Sequence, residues 1–146
     1  FKILHIHKMK TKLDEFIENK LNEPFKYGVN DCITFSAQAI ELVTGIDHIK
    51  IVGKWSSEEE ASKLLKKMGF NSLSGVIGSR FRKHSHQFKL KDGDVVVSDQ
   101  TLDRKFKEQT CIYYKGKLVG PAKDGLQFMN VDQGKYFFDI KRVRIG

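Results

Sequence analysis

Apolar residues in the first half of the chain recur every three or four positions, the spacing typical of helices that bury one face. The apolar positions of the first predicted helix are Leu13, Phe16, Ile17 and Leu21. Thr11 and Asp14 form a predicted capping box at its start, and Pro24 marks its end. The sequence therefore predicts an N-terminal amphipathic helix.

A second helix is predicted from Cys32 to Thr44, with Asp31 as its N-cap and Gly45 as its closing residue. Its apolar residues are Ile33, Phe35, Ala37, Ala39, Ile40, Leu42 and Val43. Because they cover most sides of the helix, we expect it to be buried.

The third predicted helix begins after Ser57, the expected N-cap, with Glu60 in the capping-box position, and it stops at Gly69. Its inward-facing residues are predicted to be Ala61, Leu64, Leu65 and Met68. A short helical or turn segment is predicted over Leu73–Phe81.

The second half of the chain consists of short runs of strand-forming residues separated by Gly, Asp and Lys. The predicted strands are Asp94–Val97, Cys111–Tyr114, Lys117–Val119, Leu126–Val131 and Tyr136–Val143. Lys115-Gly116 is a predicted tight hairpin turn. Helices followed by antiparallel strands indicate an α+β fold, and the absence of repeats and linkers predicts one domain over residues 1–146.

Composition is that of a globular domain, with 146 residues of which 40% are hydrophobic and 30% charged. No apolar run approaches the roughly 18–20 residues of a membrane span, and Phe1–Lys10 is too short and too mixed for a signal peptide. Two cysteines, Cys32 and Cys111, are too few for a disulfide-stapled secreted domain. We therefore expect two reduced thiols in a protein made in a cytosol.

The net charge of +8 favours an anionic partner. Basic residues concentrate at Arg80–His84, Arg104–Lys107 and Lys141–Arg144. Nucleic acid, acidic cell-wall polymer and an acidic protein neighbour all fit this charge, and so does a lysine-rich surface that only maintains solubility. Within Arg80–Lys83 we expect Phe81 to pack inward while its neighbours face water.

Cys32 is the candidate nucleophile of the chain. It occupies the first position of a predicted helix, where free backbone N–H groups and the helix dipole favour a thiolate. The alternative is a small buried apolar side chain, and the adjacent Asp31 opposes ionisation of the thiol. Position alone leaves both readings open.

Several short blocks of the chain together form a distinctive pattern, namely Phe25–Cys32, Phe35 with Ala37, Thr44–Asp47, Gly53–Ser56, Glu58–Met68, Lys91–Val97 and Gly125-Leu126. This pattern resembles a phage-associated family of NlpC-like, papain-fold proteins. The resemblance spans about Phe16 to Met129 and implies a papain-like NlpC-type fold, in which N-terminal helices pack on a C-terminal antiparallel sheet. It also implies a virion location after synthesis in the host cytoplasm.

In active NlpC-like peptidases, the resemblance implies a cysteine that attacks a cell-wall peptide bond and a histidine at the start of the next strand. In this sequence Gln109 stands at the expected histidine position, and Thr110 is the next candidate. Neither residue can act as a general base at neutral pH. His48, His84 and His86 are possible substitutes, although each is expected in an exposed polar loop.

Three functions follow as hypotheses. The first is a non-catalytic structural or adaptor protein of a phage virion, of tail type, which contacts other virion proteins. The second is an active cysteine endopeptidase or amidase that cleaves host peptidoglycan, and the third is a basic nucleic-acid-binding module. We expect no metal and no other cofactor, because the pairs His5-x-His7 and His84-x-His86 lack supporting cysteine or carboxylate spacing.

Overall fold

Helices occupy the first half of the chain and strands the second, so the α+β prediction is confirmed. The computed structural model describes residues 9–50, 53–99 and 108–143. The helices are α1 (Lys12–Lys20), α2 (Cys32–Thr44), α3 (Glu58–Lys67) and α4 (Leu73–Gly78). The strands are β1 (Phe81–Lys83), β2 (Val95–Ser98), β3 (Gln109–Tyr114), β4 (Lys117–Ala122), β5 (Gly125–Met129) and β6 (Gly134–Val143). They form one antiparallel sheet in the order β1-β6-β2-β3-β4-β5.

The predicted capping box of α1 is confirmed. Thr11 Oγ1 accepts a hydrogen bond from the Asp14 backbone N–H at 3.0 Å, and the Asp14 carboxylate accepts one from the Thr11 N–H at 2.9 Å. Leu21 is different from the other three apolar residues of this segment, because it lies at the C-cap and is 43% exposed. The apolar spacing in the sequence therefore continues to Leu21, one residue beyond the end of the helix.

Ser57 is the N-cap of α3 as predicted, but Glu60 does not complete a capping box with it. Ser57 Oγ accepts from the Glu60 N–H at 3.1 Å, as a capping residue does. The Glu60 carboxylate accepts from the N–H of Ser56 at 2.7 Å, one residue before the N-cap. Ala61 and Leu65 are buried, whereas Leu64 and Met68 are only partly buried.

Helix α2 lies against the sheet and forms the centre of the main core. Its bounds and both caps are as predicted, with Asp31 as N-cap and Gly45 as C-cap. Phe35, Ala39 and Ile40 are fully buried. The helix contacts α1, β3, β4 and β6, so the prediction of a buried helix is confirmed.

Several strands have other bounds than predicted. Strand β3 begins earlier, at Gln109, and β4 continues further, to Ala122. Phe81, assigned to a helical or turn segment, instead begins β1, which pairs with β6 at the edge of the sheet. Strand β5 ends at Met129, and a 3₁₀ turn at Val131–Gln133 replaces the last residues of the predicted run. The hairpin turn between β3 and β4 is confirmed, since Lys115 and Gly116 have the positive φ angles of 46° and 82° that a type I′ turn requires.

Aromatic residues do not all lie in the core. Phe81 is 1% exposed between exposed Arg80 and Arg82, as expected. Phe88 is 84% exposed and Phe128 is 45% exposed. Phe88 and Phe128 therefore contribute little to the core.

Cys32 and Cys111 are not joined in a disulfide, and both are buried. Cys111 belongs to a second, smaller apolar cluster with Val96 and Leu118, on the face of the sheet opposite α2. Within the described ranges, the helices are too short or too polar to cross a lipid bilayer. The predicted basic cluster Arg104–Lys107 lies outside the described residues.

Asp14 links α1 to the β3–β4 hairpin and gives a testable pH dependence. The Tyr114 hydroxyl donates to the Asp14 carboxylate, and this bond is the main reason that the pKa of Asp14 lies below its ordinary value; the Thr11 backbone N–H adds to the effect. A carboxylate with a lowered folded pKa stabilises the fold above its unfolded pKa of about 3.9. That contribution is lost as the pH falls through the folded value.

We expect Tyr114→Phe to move the pKa of Asp14 back toward its ordinary value, because the strongest hydrogen bond to the carboxylate is removed. The side-chain carboxyl resonance of Asp14 followed by NMR against pH measures this directly. Lys115→Gln is the control, since Lys115 acts on Asp14 only weakly, and it is expected to move the titration less. Equal titration curves for the wild type and Tyr114→Phe would contradict the assignment.

Candidate functional site

Cys32 is placed by a tight turn that precedes α2. The Asn30 N–H donates to the Lys26 carbonyl at 2.8 Å, and the Lys26 N–H donates back to the Asn30 carbonyl at 3.0 Å. Gly28 occupies this turn with φ of +78°, a value that an L side chain rarely adopts. The turn therefore delivers Cys32 to the first position of the helix, as predicted.

The carboxylate of Asp31 holds the turn, the helix and a third segment together. One oxygen accepts from the Gly28 N–H at 2.8 Å and from Trp55 Nε1 at 2.7 Å. The other oxygen accepts from the Thr34 N–H at 2.8 Å. Because Asp31 is 2% exposed, these bonds form in a poorly solvated site. Asp31 is thus a structural anchor beside Cys32, and its negative charge opposes a thiolate there.

Strand β3 reaches the first turn of α2 through Thr110. The Thr110 hydroxyl donates to the Cys32 backbone carbonyl at 2.8 Å. Gln109 Nε2 lies 3.7 Å from Met129 Sδ, and Met129 packs on the smaller apolar cluster of the opposite face. Successive side chains of a strand point to opposite faces. Of the two predicted candidates for the histidine position, Thr110 is therefore the one that contacts the cysteine helix.

The surroundings of Cys32 are closed. Cys32 is 7% exposed. A cavity of about 10 Å³ further along α2 is lined by Thr110, Ser36 and apolar side chains but not by Cys32, and this volume holds about one water molecule. Ser36 Oγ is buried and has no hydrogen-bond partner, so a single water in this cavity is a fitting occupant.

A larger depression of about 300 Å³ lies along the outer side of α2. Thr34, Gln38, Glu41 and Trp55 are among the residues that line it, and Cys32 is not. This depression therefore does not reach the Cys32 side chain.

The three histidines of the described ranges have their rings engaged elsewhere. His48 packs edge-on against Phe81 with ring centroids 4.9 Å apart. His84 Nε2 lies 2.8 Å from an Asp94 carboxylate oxygen, and the exposed His86 accepts from the Phe88 N–H at 3.2 Å. The expectation that all three are exposed holds for His86, whereas His48 is only partly exposed and the side chain of His84 is 5% exposed. His5 and His7 lie outside the described residues.

Sequence reasoning missed two features of the site. The bond from Trp55 to Asp31 spans 24 residues and that from Thr110 to Cys32 spans 78, so neither has a local signal. It also missed that His84, Asp94 and Asp139 lie together, with potential ligand atoms within 4.8 Å of one another. His86 lies outside this group.

The comparison with known protein families gives one match. A family described as "Domain of unknown function (DUF6950)" matches residues 5–140. No curated protein and no solved structure matches the chain.

Proposed function

Since the chain belongs to the DUF6950 family, whose function is unknown, we propose that it is a non-catalytic structural or adaptor protein of a phage virion, of tail type. We further propose that its fold is an NlpC-like, papain-type fold with an incomplete catalytic pair. The blocks Phe25–Cys32 and Lys91–Val97 resemble the cysteine helix start and first strand of that family. A cysteine at the start of a buried helix that packs on an antiparallel sheet is consistent with the resemblance.

The observation that carries this proposal is the contact between Thr110 and the first turn of α2. In a working dyad the strand residue at this place must accept the thiol proton and then hold a positive charge. A threonine hydroxyl does neither at neutral pH, and here it donates to a backbone carbonyl. The contact supports a structural role for the cysteine helix.

Exposed basic side chains along β1 and β6 support an acidic protein partner. Arg82, Lys83, Lys141 and Arg142 are exposed on these two strands. Among the described residues, these four have no acidic partner within ion-pair distance, so their charge is available to another molecule. A neighbouring virion subunit with an acidic surface is the occupant that we propose.

The alternative function is an active cysteine hydrolase that cuts peptidoglycan. Its supporting observation is the position of Cys32 as the first residue of α2, where the helix dipole favours a thiolate. It requires a base from a part of the chain other than Thr110. A nucleic-acid-binding module is a third candidate, supported only by the net charge of +8.

Quantitative mass spectrometry of purified particles tests the virion assignment. We expect the protein at a fixed copy number relative to the other virion proteins. Arg82→Gln/Lys141→Gln is expected to lower its incorporation several-fold, whereas the matched pair Lys66→Gln/Lys67→Gln on α3 is expected to leave it unchanged. Absence of the wild-type protein from particles would contradict the proposal.

Incubation with purified peptidoglycan separates the first two functions. A non-catalytic protein releases no soluble peptide fragments above a buffer control. Release that disappears in Cys32→Ala would establish the hydrolase instead. Retention of labelled DNA that weakens steeply with salt would establish the third candidate.

A further inference from the structure

His84, Asp94 and Asp139 converge where β1, β2 and β6 meet. His84 directly follows β1, and its N–H donates to the Phe137 carbonyl on β6 at 2.7 Å. Asp94 directly precedes β2, and Asp139 lies within β6. One potential ligand atom from each of the three side chains lies within 4.8 Å of the other two. Three separate strands therefore fix one imidazole and two carboxylates in one place.

The cluster is buried and its charge is not balanced by the protein. The side chains of His84 and Asp94 are 5% and 3% exposed, and Asp139 is 5% exposed. Two carboxylates and one imidazole have a net charge of about −1 even when the histidine is protonated. Among the described residues, neither aspartate pairs with a lysine or arginine side chain. Buried charge without compensation is strongly disfavoured. A bound cation would therefore stabilise the two carboxylates.

Backbone hydrogen bonds orient both carboxylates. Asp94 accepts from the Lys91 N–H at 2.9 Å and from the Ile140 N–H at 3.3 Å. Asp139 accepts from the Lys141 N–H at 3.0 Å through one oxygen only. These bonds hold the side chains in place and leave one oxygen of Asp139 available to a cation. Such orientation of ligands by neighbouring groups is typical of metal sites.

We propose that His84, Asp94 and Asp139 bind a divalent transition-metal ion of the Zn²⁺ class. A mixed imidazole and carboxylate set suits Zn²⁺, Mn²⁺ or Fe²⁺, whereas Ca²⁺ and Mg²⁺ prefer oxygen ligands alone. His84 Nε2 and the Asp94 oxygen are 2.8 Å apart. Adjacent ligand atoms around a tetrahedral Zn²⁺ with bonds of about 2.1 Å are roughly 3.4 Å apart. Binding therefore requires His84 and Asp94 to separate by about half an ångström, the Asp139 oxygen to come within bonding distance of the ion, and the loss of any imidazole proton.

The proposed ion acts on the edge of the sheet. It links His84, the residue after β1, to the start of β2 and to β6. It therefore holds together the two ends of the loop between His84 and Asp94, a loop in which Phe88 is exposed. Its role is to fix this edge strand, and it does not depend on the proposed virion function. A metal-binding result and a virion result are therefore independent of each other.

Metal titration of the chelator-treated protein tests the site. We expect Zn²⁺ to bind with a stoichiometry of one and to raise the thermal unfolding midpoint, since an ion that binds only the folded state stabilises it. Co²⁺ should give visible absorption from nitrogen and oxygen ligands in the wild type. This second measurement needs no variant. Absence of both a midpoint shift and a Co²⁺ spectrum would overturn the proposal.

Variants identify the ligands. We expect His84→Gln and Asp139→Asn to weaken Zn²⁺ binding by at least about tenfold, with circular dichroism confirming that each is folded. His86→Gln and Asp124→Asn are matched controls, because both residues are exposed and lie outside the cluster. Wild-type Zn²⁺ affinity in Asp139→Asn would contradict the proposal, and so would an equal loss of Zn²⁺ affinity in the two controls. In either case the cluster would be a hydrogen-bonded ion pair without a metal.

Discussion

Asp31→Ala is expected to lower the free energy of unfolding by about 3–5 kcal/mol, because its carboxylate accepts hydrogen bonds from three N–H groups in a buried site. The substitution removes the N-cap of α2 and leaves the Gly28 N–H and Trp55 Nε1 without their acceptor. Each buried donor that loses its partner costs about 1–3 kcal/mol. Urea unfolding followed by circular dichroism measures the loss.

Two further variants apportion this loss. Asp31→Asn keeps an oxygen for the Thr34 N–H but presents an NH₂ group to Gly28 and Trp55, neither of which can accept from it there. We expect an intermediate loss for this variant. Trp55→Phe removes one donor only and is expected to cost about 1–2 kcal/mol. A loss below about 1 kcal/mol in Asp31→Ala would contradict the anchoring role of this residue.

Gly28→Ala is expected to destabilise the protein by at least about 3 kcal/mol, for two reasons that add. Its φ of +78° costs a side chain about 1–2 kcal/mol. An added Cβ would also lie 2.1 Å from the backbone carbonyl oxygen of Trp55, which cannot move away without displacing its own segment. The same urea unfolding experiment measures the effect.

Gly45→Ala is the matched control for Gly28→Ala. Gly45 has a nearly identical φ of +80°, but an added Cβ would meet nothing within 4 Å. We therefore expect only the conformational cost of about 1–2 kcal/mol at this position. The difference between the two variants measures the close approach of the turn to Trp55, and equal losses would show that this approach is looser than described.

Local signals explain which elements were predictable. Helix α2 begins and ends as predicted because Asp31 and Gly45 act on the backbone within a few residues. The Lys115-Gly116 turn was predictable for the same reason. Strand β1 was missed because three residues contain too little alternation to define a strand. Its structure depends on pairing with β6, from Lys83 with Phe138 to Phe81 with Val143, far away in the sequence.

At the candidate site, the sequence could not predict which side chains from distant strands meet. The sequence predicted Cys32 at a helix start, which is confirmed. The family resemblance implied Gln109 at the histidine position with Thr110 as the next candidate, and the hydroxyl of Thr110 donates to the Cys32 carbonyl. A shift of one residue in a strand moves a side chain to the opposite face, and a single sequence does not define register to one residue. The His84, Asp94 and Asp139 cluster depends on the pairing of three strands and has no local signal at all.

The rate of alkylation of Cys32 against pH tests the central claim that the cysteine helix is structural. A Cys111→Ala background leaves Cys32 as the only thiol, and the same chain in denaturant gives the rate of a fully exposed one. We predict a reaction at least about a hundredfold slower in the folded protein, with no inflection below the free-thiol range near pH 8.5. Fast alkylation with an inflection well below that range, abolished by replacing one particular histidine, would contradict the account and establish a working dyad.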